Sequence, residues 1–346
     1  MTTTFQSIPV IDFGRLQNEA TKAQGLEELR DAIFNVGFLY LVNTGLEPMI
    51  EDAHKFTRDI FELPVLDKAS CHMSNSPSFL GYSGLREETT DKKLDIREQF
   101  DFGTEVASQD PGGELWRKLE GTGQYPSTEV KAFVTSYIAA MTRLSTKFLH
   151  LVAECLSLPP TTFDHFIGNT SRLKFVKYPP SQSSGQGVGA HKDSLSLFTF
   201  LSQDQVGGLQ VLNKSGEWID ATPIAGSLVV NIAQGFEAAT GGLCSATTHR
   251  VESPTNITRY SIPFFQAINL DLSFDEIKLS ATKIRDEIPV SDNGKKRAVD
   301  VPSDIISPYF STIGEAQLVN RIKSHPEVGK KWYPKLFKEL GLAAIS

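Results

Sequence analysis

Apolar side chains recur along this chain with two different periods, and the switch between them divides it. Over residues 21–36 they fall at helical spacing: Leu26, Leu29, Ile33 and Phe34 share a face, Val36 follows, and Gly37 stops the helix. Phe38–Val42 is an unbroken apolar run and reads as a buried strand, ended by the turn chemistry of Asn43-Thr44-Gly45. Before the helix, Ile8–Phe13 reads as a short strand; after the turn, a second helix is expected over 48–62, closed by Leu63-Pro64. Residues 70–125 are rich in Ser, Gly, Asp and Pro and look irregular, apart from a strand-like Glu98–Phe102. Residues 127–156 carry a long amphipathic stripe that includes Phe133, Tyr137, Met141, Leu144, Phe148 and Val152.

From residue 171 the period shortens to two. Strands are expected at 173–178, 193–201, 208–212, 217–221, 227–231, 247–252 and 259–265, with tight turns such as Gly207-Gly208, Lys214-Ser215-Gly216 and Ala225-Gly226 between several of them. Many short strands separated by turns point to an all-β sandwich or jelly roll. Residues 290–304 form a charged stretch, read as a loop that can serve as a lid. The tail from 314 returns to helix and is interrupted at Pro326 and Pro334. The fold class expected is mainly β, with helical N- and C-terminal extensions.

Composition adds limits rather than direction. The chain has 346 residues, 40% hydrophobic and 22% charged, enough to bury a large core. Its net charge is −7 and no basic run stands out, which argues against a nucleic-acid partner. No stretch is long and apolar enough to cross a bilayer, and the N-terminus lacks a basic region followed by an apolar one, so neither a membrane partner nor a secretory signal is expected. Cys71, Cys155 and Cys244 are scattered and odd in number, as expected of reduced thiols in a cytoplasmic protein.

The chemistry concentrates in His191-Lys192-Asp193, in His249, which follows the aspartate by 56 residues, and in Arg259-Tyr260-Ser261, which begins ten residues later. Two histidines and a carboxylate can occupy one face of an octahedral metal and leave three positions open, the pattern of a non-haem Fe(II) oxygenase. On a strand beginning at the motif, His191 and Asp193 would share a face and Lys192 would point away. Arg259 and Ser261 share a face by the same alternation and could grip the far carboxylate of a co-substrate bidentately. The alternative for this arginine is a structural ion pair with an internal Asp or Glu. His54, His72, His150, His165 and His325 lack such company and read as ordinary core or surface residues. Gly185–Gly189 leads into a strand, not a helix, so it is no dinucleotide loop. Gly81-Tyr82-Ser83-Gly84 lacks the spacing of a nucleophile elbow.

These residues resemble the isopenicillin N synthase-like branch of the Fe(II)/2-oxoglutarate-dependent dioxygenases. The resemblance runs from Ile8–Phe13 to the helical tail and is carried by Gly37–Asn43, Asp95–Phe102, Tyr178-Pro179-Pro180, His191–Asp193, Val206–Val211, Thr248–Val251 and Arg259–Ser261. It implies a distorted double-stranded β-helix (jelly roll) core over 171–275, preceded by a mixed α/β region over 1–125 and a long support helix over 126–170. A lid loop and C-terminal helices would occupy 276–346. It implies that His191, Asp193 and His249 bind Fe(II), that Arg259 and Ser261 hold the distal carboxylate of 2-oxoglutarate, and that Tyr178 bonds near its chelating end. O2 would be the second co-substrate, ascorbate the reductant in vitro, and succinate and CO2 the co-products. Three departures stand out: Val176 where relatives often have Asn, Asn43-Thr44-Gly45, and Ala233-Gln234-Gly235.

If Tyr178 points inward, so do Val176 and Lys174, and Lys174 becomes a candidate partner for a substrate carboxylate, against the alternative of a solvated lysine. Phe100, Phe102 and Phe265 are candidate aromatic walls, against the alternative of core packing. The substrate expected is a small molecule of specialised metabolism, with amino-acid, peptide-like and alkaloid classes open, and hydroxylation, desaturation and ring closure all compatible. The competing readings are a 2-oxoglutarate-independent oxidase of the same family and a catalytically silent binding protein on the same scaffold.

Overall fold

The computed structural model describes residues 5–90, 93–106, 113–181, 185–194, 196–289 and 310–342. The stretch 290–304, expected as a lid loop, lies outside the described residues. Strands run in chain order as β1 (Val10–Asp12), β2 (Phe38–Val42), β3 (Gly81–Ser83), β4 (Thr89–Thr90), β5 (Lys93–Leu94), β6 (Glu98–Gly103) and β7 (Arg172–Tyr178). They continue as β8 (Gln186–His191), β9 (Ser196–Gln203), β10 (Leu209–Leu212), β11 (Trp218–Asp220), β12 (Leu228–Ile232), β13 (His249–Glu252) and β14 (Arg259–Ala267). The helices are α1 (Phe13–Gln17), α2 (Glu19–Asp31), α3 (Glu47–Phe61), α4 (Val65–Ser70), α5 (Thr128–Cys155), α6 (Gln234–Ala239), α7 (Phe274–Glu287), α8 (Ile313–Ser324), α9 (Pro326–Trp332) and α10 (Pro334–Glu339).

The core is a double-stranded β-helix. One sheet has eight strands in the order β1-β2-β12-β9-β14-β7-β6-β3, and a four-stranded sheet, β11-β10-β13-β8, makes up the other wall. Only the β1–β2 pairing is parallel among these strands. Four strands of the large sheet come from the first 103 residues, so the N-terminal region is woven into the core sheet rather than set beside it.

The outer face of the large sheet is covered by α5. Ser127 caps it by accepting the Val130 N–H, and the buried stripe Val130, Val134, Tyr137, Met141, Phe148, Val152 faces inward. Phe148 stands edge-on to Phe198 and Phe200 of β9 at centroid distances of 5.3 and 5.5 Å, locking helix to sheet. The inner faces of the two sheets meet in a second apolar cluster that includes Val176, Val188, Leu209, Val211, Val229 and Val251. Beside that cluster the sheets part around a cavity of about 790 Å³.

The elements depart from the sequence expectations in particular places. The helix α2 runs on into a widened π turn at Ala32–Val36, closed by Gly37 at φ 71°. A strand at 186–191 joins the set, so His191 ends β8 rather than opening the next strand. The helix α7 begins with a complete capping box, Ser273 with Glu276. Proline interrupts the tail as expected, and Pro326 and Pro334 each start a new helix at its first turn. No described helix is long and apolar enough to cross a membrane.

The helix–sheet contact can be tested directly. Phe148→Ala, at a fully buried site, is expected to lower unfolding free energy by about 3–5 kcal/mol in urea denaturation. Leu279→Ala, 61% exposed on α7, should change it by no more than about 0.5 kcal/mol.

Candidate metal centre and co-substrate pocket

Pairing of β8 with β13 sets His191 directly opposite His249. Their rings lie 4.3 Å apart, centroid to centroid. Asp193 does not reach the site by strand alternation, as the sequence had suggested. It sits in the connection after β8, and the chain turns there so that its Oδ1 lies 3.6 Å from His191 Nε2 and 3.7 Å from His249 Nε2. One ligand atom from each of the three lies within 4.8 Å of the others. Lys192, expected to point away, is buried, with its ammonium 4.0 Å from Glu237 of α6.

The donors are oriented from behind. His191 Nδ1 lies 2.7 Å from the Gly189 carbonyl and His249 Nδ1 lies 3.0 Å from the Thr247 carbonyl. With each Nδ1 donating to a carbonyl, both Nε2 atoms are left as lone-pair donors facing the same space. Asp193 Oδ2 accepts from Thr199 Oγ1 at 2.6 Å and from Asn231 Nδ2 at 2.9 Å, which leaves Oδ1 turned toward the imidazoles. Thr199 on β9 and Asn231 on β12 were not singled out from sequence, because only the sheet order makes them neighbours of the carboxylate. The site is also braced from the N-terminal region. Thr247 donates to the carbonyl of Val36 in the π turn at 2.8 Å, and Phe38 meets the His249 ring edge-on at 5.2 Å.

The electrostatics suit a divalent cation. Burial would push the Asp193 carboxyl up, yet the two imidazoles hold it far below the usual carboxylate range. Burial, reinforced by His191, pushes His249 down to about 4. Burial pulls His191 down as well, but its contact with Asp193 outweighs that and raises it. A carboxylate held ionised between two imidazoles of which one is kept neutral is a site that a metal completes.

Arg259 opens β14, fully buried and paired with Tyr178 across the sheet. Its Nε donates to the Gly207 carbonyl at 2.6 Å, Nη2 donates to Gln203 Oε1 at 3.3 Å, and its guanidinium carbon lies 4.8 Å from the Tyr178 ring centroid. The alternative of an internal Asp or Glu partner is not met among the described residues, where Nη1 has no hydrogen-bond partner. A buried, charged donor left open is costly unless an anion takes it. Gly207 can present its carbonyl here because it turns at φ 84°, with Gly208 at 94°, conformations open to glycine.

Tyr178, Lys174, Ser261, Phe265 and Arg259 line the same cavity as the three metal-type donors. Phe100 and Phe102 do not reach it. Phe100 pairs with Phe175 and Phe102 with Leu173, so both point to the opposite face of the sheet, where Phe100 packs on Phe61 and Tyr82 and Phe102 on Tyr125. The inward residues of β6 are Gln99 and Asp101, opposite Val176 and Lys174. Lys174 is buried, 3.4 Å from Glu88 and 3.6 Å from Asp101. Val176 packs in the apolar cluster between the sheets.

Comparison with known proteins agrees with this geometry. The model of the family described as non-haem dioxygenase in morphine synthesis N-terminal matches residues 8–128, and that of the 2OG-Fe(II) oxygenase superfamily matches residues 167–268. The chain is 41% identical to the 2-oxoglutarate-dependent dioxygenase frbJ of Dothideomycetidae sp. (strain 11243), over 96% of this chain and 94% of that protein. It is 31% identical to the homoarginine-6-hydroxylase 2-ODD-C23.1 of Arabidopsis thaliana, over 82% of this chain and 91% of the relative. A full-length Neurospora crassa protein whose crystal structure was solved in complex with alpha-KG and 5-formyluracil shares the fold, with a TM-score of 0.69, 24% identity, and coverage of 91% of this chain and 96% of that one. The chain therefore belongs to the 2OG-Fe(II) oxygenase superfamily. It is an Fe(II)- and 2-oxoglutarate-dependent dioxygenase acting on a small-molecule substrate of specialised metabolism.

Orientation of the aspartate can be tested apart from turnover. Thr199→Val removes the 2.6 Å bond to Asp193 and is expected to weaken Mn(II) binding about 10–100-fold, measured by calorimetric titration. An unchanged dissociation constant would show that Asn231 alone fixes the carboxylate.

Proposed function

We propose that His191, Asp193 and His249 hold Fe(II), that Arg259 and Ser261 hold the distal carboxylate of 2-oxoglutarate with Tyr178 near its chelating end, and that the chain hydroxylates an amino-acid-like small molecule in the cytoplasm. The observation that carries this reading is the open Nη1 of the fully buried Arg259, in the cavity that also holds the three donors. A dicarboxylic co-substrate would supply the missing anion. The same atom speaks against an oxidase that works without a 2-oxo acid, which would leave a buried guanidinium nitrogen unanswered.

Held by His191, Asp193 and His249, Fe(II) would supply the activation of O2 that is coupled to oxidative decarboxylation of 2-oxoglutarate. The chain's own residues position and shield. Thr199 and Asn231 fix the aspartate, the Gly189 and Thr247 carbonyls fix the imidazoles, and Gly207 and Gln203 aim Arg259. Phe265 and Leu201 give the cavity apolar surface against which a substrate carbon can be held away from bulk water. Hydroxylation and an amino-acid class are supported by the homoarginine-6-hydroxylases among the relatives. Three free, buried cysteines suit a reducing compartment.

Purified protein given Fe(II), ascorbate and a panel of amino acids is expected to form succinate from 2-oxoglutarate in step with substrate oxidation. Turnover that proceeds equally well without any 2-oxo acid would establish the oxidase reading instead. Arg259→Ala is expected to raise the apparent KM for 2-oxoglutarate by roughly 10–100-fold, the loss of a charge-assisted contact. Ser261→Ala, a smaller change at the same pocket, should raise it by less.

A further inference from the structure

The cavity has a second charged wall that the co-substrate pocket leaves unused. Lys174 lies four residues before Tyr178 on β7, about 13 Å along an extended strand. Around it, Arg97, Arg172 and Arg321 also line the cavity, from the segment before β6, from β7 and from α8. Three carboxylates answer these four cations. Glu88 takes Arg97 at 2.7 Å and Lys174 at 3.4 Å, Asp95 takes Arg97 at 3.0 Å, and Asp101 lies 3.6 Å from Lys174 and 3.5 Å from Arg321. Among the described residues Arg172 makes no ion pair with a carboxylate; its guanidinium donates to the carbonyls of Ser78 and Phe79. His325, 3.7 Å from Glu88, is pushed down to about 4 by burial and stays neutral at pH 7. Burial brings Arg172 down to about 9, which still leaves it a cation there.

Among the described residues, then, the wall carries one positive charge more than it can answer. The other charged groups lining the cavity do not supply the balance. Lys192 has Glu237, Lys323 is exposed at the rim, and Fe(II), Asp193, Arg259 and a doubly charged 2-oxoglutarate cancel one another under the reading above. Two buried donors in the same place, Arg97 Nε and Gln99 Nε2, have no hydrogen-bond partner among the described residues; the two oxygens of Asp101, also without one, are acceptors and offer an anion nothing. Asp101 holds its cations only through the looser contacts at 3.5 and 3.6 Å. A low-dielectric pocket with an excess cation and open donors is stabilised by a monoanion that accepts hydrogen bonds.

We propose that the substrate carries a single carboxylate that docks on the wall formed by Arg97, Arg172, Lys174 and Arg321, and that this anchor decides which carbon is presented to the metal. This deepens the proposed function and rests on it. The wall acts as a second clamp, opposite in role to Arg259: one arginine holds the molecule that is consumed with O2, the other cations hold the molecule that is oxidised. A free acid is favoured over its amide because only the acid supplies the missing charge.

The experiment uses the full chain loaded with Mn(II) and 2-oxoglutarate. L-amino acids and aliphatic and aryl monocarboxylic acids, each paired with its primary amide, are tested by calorimetric titration. At least one acid is expected to bind, with its amide at least tenfold weaker. Arg321→Gln is expected to weaken that acid about tenfold and leave the amide where it was, while Arg321→Lys restores the preference; thermal unfolding reports whether either variant is folded. Lys174→Met gives a second, independent removal of a cation from the same wall. Equal binding of acid and amide, binding of amides or amines alone, or no acid bound by protein that does bind 2-oxoglutarate would each overturn the proposal and leave the oxygenase reading standing. Failure of the wild-type protein to bind 2-oxoglutarate would instead strike at the reading on which the proposal rests.

Discussion

The structure around the cavity turns on how one carboxylate is divided. Oδ2 of Asp193 is taken by Thr199 and Asn231, and Oδ1 is left between two imidazoles. That division needs β9 and β12 of the large sheet to lie beside the end of β8, and it needs β13 to place His249 opposite His191. A carboxylate free to rotate would share its charge among several donors. Here the sheet has made the choice before any ligand arrives, and the energy of ordering the site has been met by folding.

The same economy governs the rest of the cavity. Burying a guanidinium, an ammonium and several carboxylates is unfavourable unless each finds a partner. The network around Glu88 meets most of that cost internally, with Arg97 and Lys174 on one carboxylate. Arg259 meets it with neutral acceptors, a backbone carbonyl and an amide oxygen. What is left open is directional, and it lies where small anions could complete it. Apolar stretches of the same wall, Leu201, Val251 and Phe265 among them, keep the space between the charged ends from being wet throughout.

Much of this was legible in the chain. Period-two patterning from residue 171 and the stripe over 127–156 gave the sandwich and its supporting helix, because hydrophobic burial acts on those patterns locally. The three metal-type donors and Arg259 were legible because residues of the right types follow one another in the right order, His191 and Asp193 as one motif and Arg259 ten residues after His249. Three things were not. Asp193 lies beyond the end of a strand, so parity gave the correct pair for a wrong geometric reason. Phe100 and Phe102 share a face and were read as an inward pair, but the register of β6 with β7 sends Gln99 and Asp101 inward instead. Arg97 and Arg321 are 224 residues apart, and no local pattern shows that both reach one pocket. The helix α7 is a different kind of miss, since Ser273 and Glu276 spell a capping box in the sequence itself.

The π turn at Ala32–Val36 has a reach that its five residues do not suggest. Its last carbonyl holds Thr247, two positions from a metal-type histidine, and the next strand sets Phe38 against that imidazole. The boundary between the two matched families therefore is not a seam at which the molecule comes apart. A chimera that joined the first hundred residues of one relative to the last two hundred of another would inherit a His249 whose backing came from a different partner. Lineages that exchange such halves would be expected to keep a hydroxyl at position 247 and an aromatic ring at position 38.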